Sequence, residues 1–264
     1  MRRLRLVASA LAALLILPWL VAAGRTAESC PGFVASRRPL VIPATLAKGE
    51  VGITFVGHAT FLIESPGGVR AATDYNDYVR PDVVPDVATM NLAHSTHHSY
   101  HPDPGIQHVL RGWDPGGGVA RHDLRVGDMH IRNVPTNIRD WAGGTTLGGN
   151  SIFVFEAADL CIAHLGHLHH KLTPEHLSEL GPIDVVLVPV DGSWTLQLDA
   201  MMEVLSAIGP SLLVPMHYFG PSTLERFLDR ARERYDVERS ATPSVVLSRA
   251  TLPARPKVLV LPGH

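Results

Sequence analysis

The sequence predicts a layered α/β domain, and three features carry that prediction. Residues 51–56 and 61–64 read as two short strands on either side of a polar turn, the first alternating apolar with small or polar residues. Residues 184–190 are almost wholly apolar, the pattern of a strand covered on both faces. Beyond them strands alternate with helical periodicity, as in a sheet flanked by helices. The chain has 264 residues, 45% hydrophobic and 18% charged. That is enough for one sizeable core and excludes an intrinsically disordered protein.

The amino terminus reads separately. Met1-Arg2-Arg3-Leu4-Arg5 precedes an apolar stretch over 6–24, the layout of an export signal. Small residues at Ala22, Ala23, Gly24, Thr26 and Ala27 offer cleavage sites, and the run is also nearly long enough to span a bilayer uncleaved. Residues 1–27 are therefore expected to be a signal peptide or an N-terminal anchor. Residues 28–49, with Pro31, Pro39 and Pro43, read as a tethering arm, and 50–264 as the folded domain. The protein is expected to be exported, periplasmic or secreted, with membrane contact only through that first segment. The formal charge is −2, and Arg2, Arg3, Arg5 and Arg25 precede every acidic residue, so the domain itself is more acidic still. No basic stripe remains, which argues against nucleic acid as a partner. Of the two cysteines, Cys161 lies inside an apolar run and reads as a buried single thiol; a disulfide scaffold is excluded.

Taken in order, Gly57-His58-Ala59-Thr60 turns the first strand into the second, and Ser65-Pro66-Gly67-Gly68 is a hairpin signal. Residues 69–73 lead to Asp74, and 83–88 lead to a histidine cluster. Residues 108–113 and Gly116-Gly117-Gly118 read as loop and turn. Residues 124–131 are a strand pair ending at Val134-Pro135-Thr136-Asn137, and the glycine-rich 141–150 reads as a flexible loop. Residues 151–156 and 160–164 form the next hairpin. Thr173-Pro174-Glu175-His176 starts a helix, with Thr173 as N-cap and His176 where a capping-box glutamate often stands. Gly181-Pro182 stops it. Residues 198–208 are helical, with Met201 and Met202 as core packing. Residues 211–215 are a buried strand ending at His217, and 222–234 an amphipathic helix. Residues 245–247 and 258–261 are short edge strands.

Histidine placement points to chemistry. His94, His97, His98 and His101 fall within eight residues after a strand-like run, and imidazoles three or four apart on a first helical turn can share an ion. A second knot, His164, His167, His169 and His170, follows another apolar run, and His217 a third. Three strand ends that each deliver histidine suggest one metal site along a sheet edge. His58 reads as ordering its turn, and His101, His169 and His170 as loop or wall residues. His108, His122, His130, His164 and His176 read as surface or satisfied core. Trp113, Trp141 and Trp194 are loop residues that could line a cleft.

These pieces together are Gly57-His-Ala-Thr-Phe-Leu-Ile-Glu64, Asp74, the His94 cluster, His164-Leu-Gly-His-Leu168, residues 181–190 and Val214-Pro-Met-His-Tyr218. In that order they resemble the metallo-β-lactamase superfamily, more narrowly its ascorbate-6-phosphate lactonase-like and N-acyl-phosphatidylethanolamine phospholipase D-like hydrolases. The likeness covers roughly residues 50–250. It implies a four-layer αββα sandwich with metal in a groove at one edge of its two sheets, and hydrolysis by a metal-bound water. Against the family's His-x-His-x-Asp-His, this chain has His94, then Thr96, His98 and Ser99. His167 stands where the family has a bridging aspartate, and Asn137 where it has a further histidine. The expectation is one divalent ion rather than two, held by His94, His97 or His98, His167 and His217. Nitrogen-rich ligation suits zinc best, and nickel, copper or iron would accept it. Three histidines with one open position lower the pKa of bound water to about 7. Asp191 is the candidate general base or partner behind a ligand. The expected substrate is a small or lipid-like ester, lactone, phosphodiester or amide; the alternative is a non-catalytic relative that binds a metal or ligand.

Overall fold

The structure is a computed structural model that describes residues 46–140 and 142–263. The expected signal or anchor, nearly all of the arm, Cys30 and Trp141 lie outside the described residues. No helix among those described is long and apolar enough to cross a membrane.

Two mixed sheets face each other. The first contains β1 (Glu50–Gly57), β2 (Thr60–Glu64), β3 (Arg70–Ala72), β4 (Val87–Met90) and β5 (His108–Arg111), with β13 (Ser244–Ser248) beside β1 at one edge. The second contains β6 (Asp123–Val126), β7 (Met129–Arg139), β8 (Thr145–Ala157), β9 (Leu160–His164), β10 (Val185–Pro189) and β11 (Leu212–Met216). There β14 (Lys257–Val260) follows β11, and β12 (Asp236–Arg239) is the outer strand. The helices are α1 (Pro174–Leu180), α2 (Leu198–Ile208) and α3 (Pro221–Ala231).

Alternation along the second sheet explains its apolar runs. Phe153, Phe155, Ile162, Val185, Leu187 and Val214 meet Phe55, Phe61 and Ile63 of the first sheet. Val154, Ala163, Val186, Val188 and Leu213 point the other way, onto Met201, Leu205, Phe227 and Leu228 of the helices. Both faces are thus covered, which a continuous Val/Leu strand requires. Each such side chain contributes about 1.5–3 kcal/mol on burial. The expected α/β sandwich is what forms. Among the described residues the helices cover one outer face, while the outer face of the first sheet packs Ala72, Ala88 and Met90 against the loop residues Tyr75 and Ile106.

Four local expectations change. Residues 108–111 are not loop but β5, paired in parallel with β4. The glycine-rich 145–150 is the start of β8, not a flexible loop. Residues 236–239 form β12, so β14 is interior rather than an edge. The strand before the histidine cluster begins at Val87. The cap of α1 forms as expected, with His176 Nδ1 accepting from the Thr173 backbone N–H and Thr173 Oγ1 accepting from that of His176.

Strand direction fixes where chemistry gathers. β1 runs antiparallel to β2, β2 antiparallel to β3, and β3 parallel to β4, so β1, β3 and β4 end at the same side of the first sheet. β9, β10 and β11 are parallel and likewise end together. The residues just past these six ends are His58, Asp74, the 91–98 loop, His167, Asp191 and His217.

Candidate metal centre

His58, His94, His97 and His217 each offer a donor atom, and these atoms lie within 4.8 Å of one another. His97 and His217 are fully buried, and His58 and His94 partly so. Three residues at the site hold left-handed backbone, His58 at φ 51, Asp74 at φ 40 and His217 at φ 54. Such conformations cost on the order of 1–3 kcal/mol each and persist where neighbours over-determine them. Here the His217 N–H donates to the His58 carbonyl at 2.7 Å, and the Asp74 carbonyl accepts from Thr60 Oγ1 and Asn76 Nδ2.

Each buried ring is oriented from behind. His97 Nδ1 lies 2.5 Å from Asp74 Oδ2, and Asn91 Nδ2 donates to the other Asp74 oxygen at 2.9 Å. His217 Nδ1 lies 3.1 Å from Asp191 Oδ1. Asp191 is gripped by the backbone N–H groups of Ser193 and Trp194 and by the Ser193 and Thr195 hydroxyls. The Thr96 hydroxyl touches both His94 Nδ1, at 2.8 Å, and His58 Nε2, at 2.9 Å. His94, His97 and His217 therefore all keep Nε2 as the remaining donor. Imidazoles whose second nitrogen is fixed by oxygen are the usual form of histidine metal ligands.

His97 Nε2 and His217 Nε2 are 3.1 Å apart. When each Nδ1 carries the proton shared with its carboxylate, two lone pairs face each other, and only a proton or a cation between them relieves the repulsion. Two nitrogens bound to one ion at about 2.0–2.1 Å stand roughly 3.0–3.4 Å apart. The donor set fits a transition-metal ion.

Burial and neighbouring charge disfavour the protonated form of His58, His94, His97 and His167. Burial pushes His97 well below its ordinary value, and the neighbouring imidazoles, His217 first, push the same way. Burial and then His217 lower His94 to about 4, and His58 and His167 to about 3. Burial raises the Asp74 carboxyl above its ordinary value, opposed by the hydrogen bond from Asn91. Burial also acts to raise Asp191, but hydrogen bonds from His217, Thr195 and Ser193 outweigh it and hold the carboxylate well below its ordinary range.

The remaining expected residues separate. His167 is buried against the group, its ring centroid 4.9–5.1 Å from those of His94, His97 and His217, but it is not one of the four grouped donors. His98 stands apart, with Nδ1 3.2 Å from the Asn91 carbonyl and its ring against Tyr100 and Trp113. Asp191 is the partner behind His217, with its own oxygens consumed by local donors, rather than a free base. His58 and Asp74 were not assigned to the metal from sequence. The available signal was that each, like the others, follows directly on a strand end. His169 and His170 hold the backbone of Asn137.

His164 is a structural histidine. Nε2 donates to the Ala59 carbonyl at 2.8 Å, and Nδ1 accepts from Gly166 N–H. Burial, against the Ala59 bond, lowers its pKa to about 4. Above pH 6.5 the ring is neutral folded or unfolded, and the group adds no pH dependence. As pH falls from 6.5 towards 4 only the unfolded chain takes up the proton, so stability is lost. For His164 alone the loss is on the order of 3 kcal/mol. Thermal melts of metal-free protein are expected to show Tm falling steeply over that window and flat from pH 7 to 8, and His164→Gln should flatten the slope.

Residues 52–217 match the family model of the beta-lactamase superfamily domain. A UPF0173 protein of Pyrococcus abyssi is 31% identical over 200 residues, 69% of this chain and 91% of that one. A UPF0173 metal-dependent hydrolase of Carboxydothermus hydrogenoformans is 24% identical over 194 residues, 63% of this chain and 84% of that one. Among solved structures, a Thermotoga maritima protein of the metallo-beta-lactamase superfamily aligns at a TM-score of 0.59 with 28% identity, covering 81% of this chain and all of that one.

Proposed function

Because the chain belongs to the beta-lactamase superfamily, within the UPF0173 group that includes metal-dependent hydrolases, we propose that it is a metal-dependent hydrolase working with a single ion on an all-histidine site. The observation that carries this is the 3.1 Å approach of His97 Nε2 and His217 Nε2, each ring fixed from behind by a buried carboxylate. His94, His97 and His217 hold the ion, zinc by preference for nitrogen donors. Bound there, it would supply Lewis acidity and an acidified water for attack on an ester, lactone, phosphodiester or amide. Thr96, Asp74 and Asp191 keep the three rings aimed. Phe219 is 62% exposed, with its ring 5.5 Å from His217 and 6.0 Å from His58. It offers an apolar surface beside the donors to the acyl or aromatic part of a substrate.

The test is hydrolysis of such a substrate panel by zinc-loaded protein. Turnover is expected to vanish on chelation and return on adding zinc; turnover that survives chelation would remove the reading. A second reading, metal binding without turnover, draws on the lack of any carboxylate among the four grouped donors. It takes over if the loaded protein cleaves none of the panel.

Asp74→Asn keeps the shape behind His97 and replaces the carboxyl that orients the ring with an amide. Metal affinity is expected to fall about 10–100-fold, read by competition with a chromophoric chelator. An unchanged affinity would mean that Asp74 serves only its turn.

A further inference from the structure

His167 is 6% exposed, and neither ring nitrogen has a hydrogen-bond partner among the described residues. An unsatisfied buried polar atom is costly and calls for an explanation. The ring is not loosely placed. Its backbone N–H donates to Asn150 Oδ1 at 2.8 Å, and it follows Gly166, whose φ of 60° and closeness to Asn150 and Asn91 leave no room for a side chain. It lies edge-on to His94, His97 and His217, at interplanar angles of 82–89°. A neutral imidazole carries one N–H, and here that donor has no acceptor among the described residues.

We propose, building on the hydrolase reading, that His167 is not a ligand of the ion held by His94, His97 and His217 but the hydrogen-bond donor to the substrate oxygen that gains negative charge during hydrolysis. The ring keeps its proton, and no bond to it is made or broken. A donor fixed in a water-poor site before the reaction stabilises developing charge without reorganising. The residue thereby fills a position where a ligating carboxylate would repel that same oxygen.

The experiment compares wild type, His167→Phe and His167→Gln as full-length chains, with His217→Ala as the ligand control. Metal per chain, by mass spectrometry, should stay at the wild-type level in both His167 variants and fall in His217→Ala. Turnover should drop about 10²–10³-fold in His167→Phe with KM little changed, and partly recover in His167→Gln, which restores an N–H. A readout independent of turnover is acetate binding to cobalt-loaded protein, followed in the visible spectrum. Its Kd should rise about tenfold or more in His167→Phe, while the spectrum without acetate stays that of wild type. Metal loss equal to that of His217→Ala would make His167 a ligand and overturn the proposal. Unchanged turnover and acetate affinity would make it packing alone, also overturning it. A wild type that cleaves no substrate would remove the hydrolase reading, while the acetate arm still decides whether His167 donates to an anion at the site.

Discussion

His217→Ala is expected to empty the metal site, with ion content per chain falling close to zero and turnover dropping by more than the 10–100-fold typical of losing a residue behind a ligand. His217 directly follows β11, donates its backbone N–H to the His58 carbonyl and brings Nε2 to within 3.1 Å of His97 Nε2. Its removal deletes one donor and strands Asp191, whose other partners stay in place. His98→Ala provides the contrast. That ring packs on Tyr100 and Trp113, so its removal should leave metal content at the wild-type level. Metal analysis of the two variants side by side checks this. Equal loss in both would mean that the 94–98 loop is arranged differently around the ion.

Gly166→Ala is expected to have the largest effect on stability. A Cβ there would stand 2.4 Å from Asn150 Oδ1 and 2.5 Å from Asn91 Nδ2, on a backbone at φ 60°. Both asparagines are fully buried and engaged, Asn91 to Asp74 and the Ser151 backbone, Asn150 to Thr136 and Leu165. Neither can yield without breaking bonds that hold the site. Overpacking and left-handed strain together cost about 3–4 kcal/mol, which in a domain of this size lowers Tm by roughly 10 °C. Calorimetry of the metal-free protein measures it, and a shift under about 2 °C would show that the asparagine pair is free to move. Metal affinity should fall with stability, because Asn91 is the residue that holds Asp74 against His97.

The strand ends that deliver His94, His97 and His217 were legible because apolar runs followed by histidine have few other readings. The sandwich was legible from 184–190, whose two-faced burial is a direct consequence of composition. Which member of the His97-His98 pair turns inward was not legible. Adjacent residues in an irregular loop differ only by backbone torsions, and here Asp74, distant in sequence, selects His97. His58 read as a turn residue because its role depends on β1 and β11 ending side by side, a tertiary fact. The glycines of β8 read as loop, yet Gly149 lies where a Cβ would come 2.6 Å from Ile138. It serves close strand approach beside the register shift between Thr136 and Ile138. β5 was missed for a related reason, since its four residues, three half-buried and one exposed, become a strand only by pairing with β4.

X-ray absorption at the metal edge of the loaded protein is the most direct measurement of the central claim. One ion on imidazoles predicts a light-atom shell at about 2.0–2.1 Å with the outer-shell scattering of about three histidine rings. Scattering from a second metal at about 3.5–4 Å would contradict it.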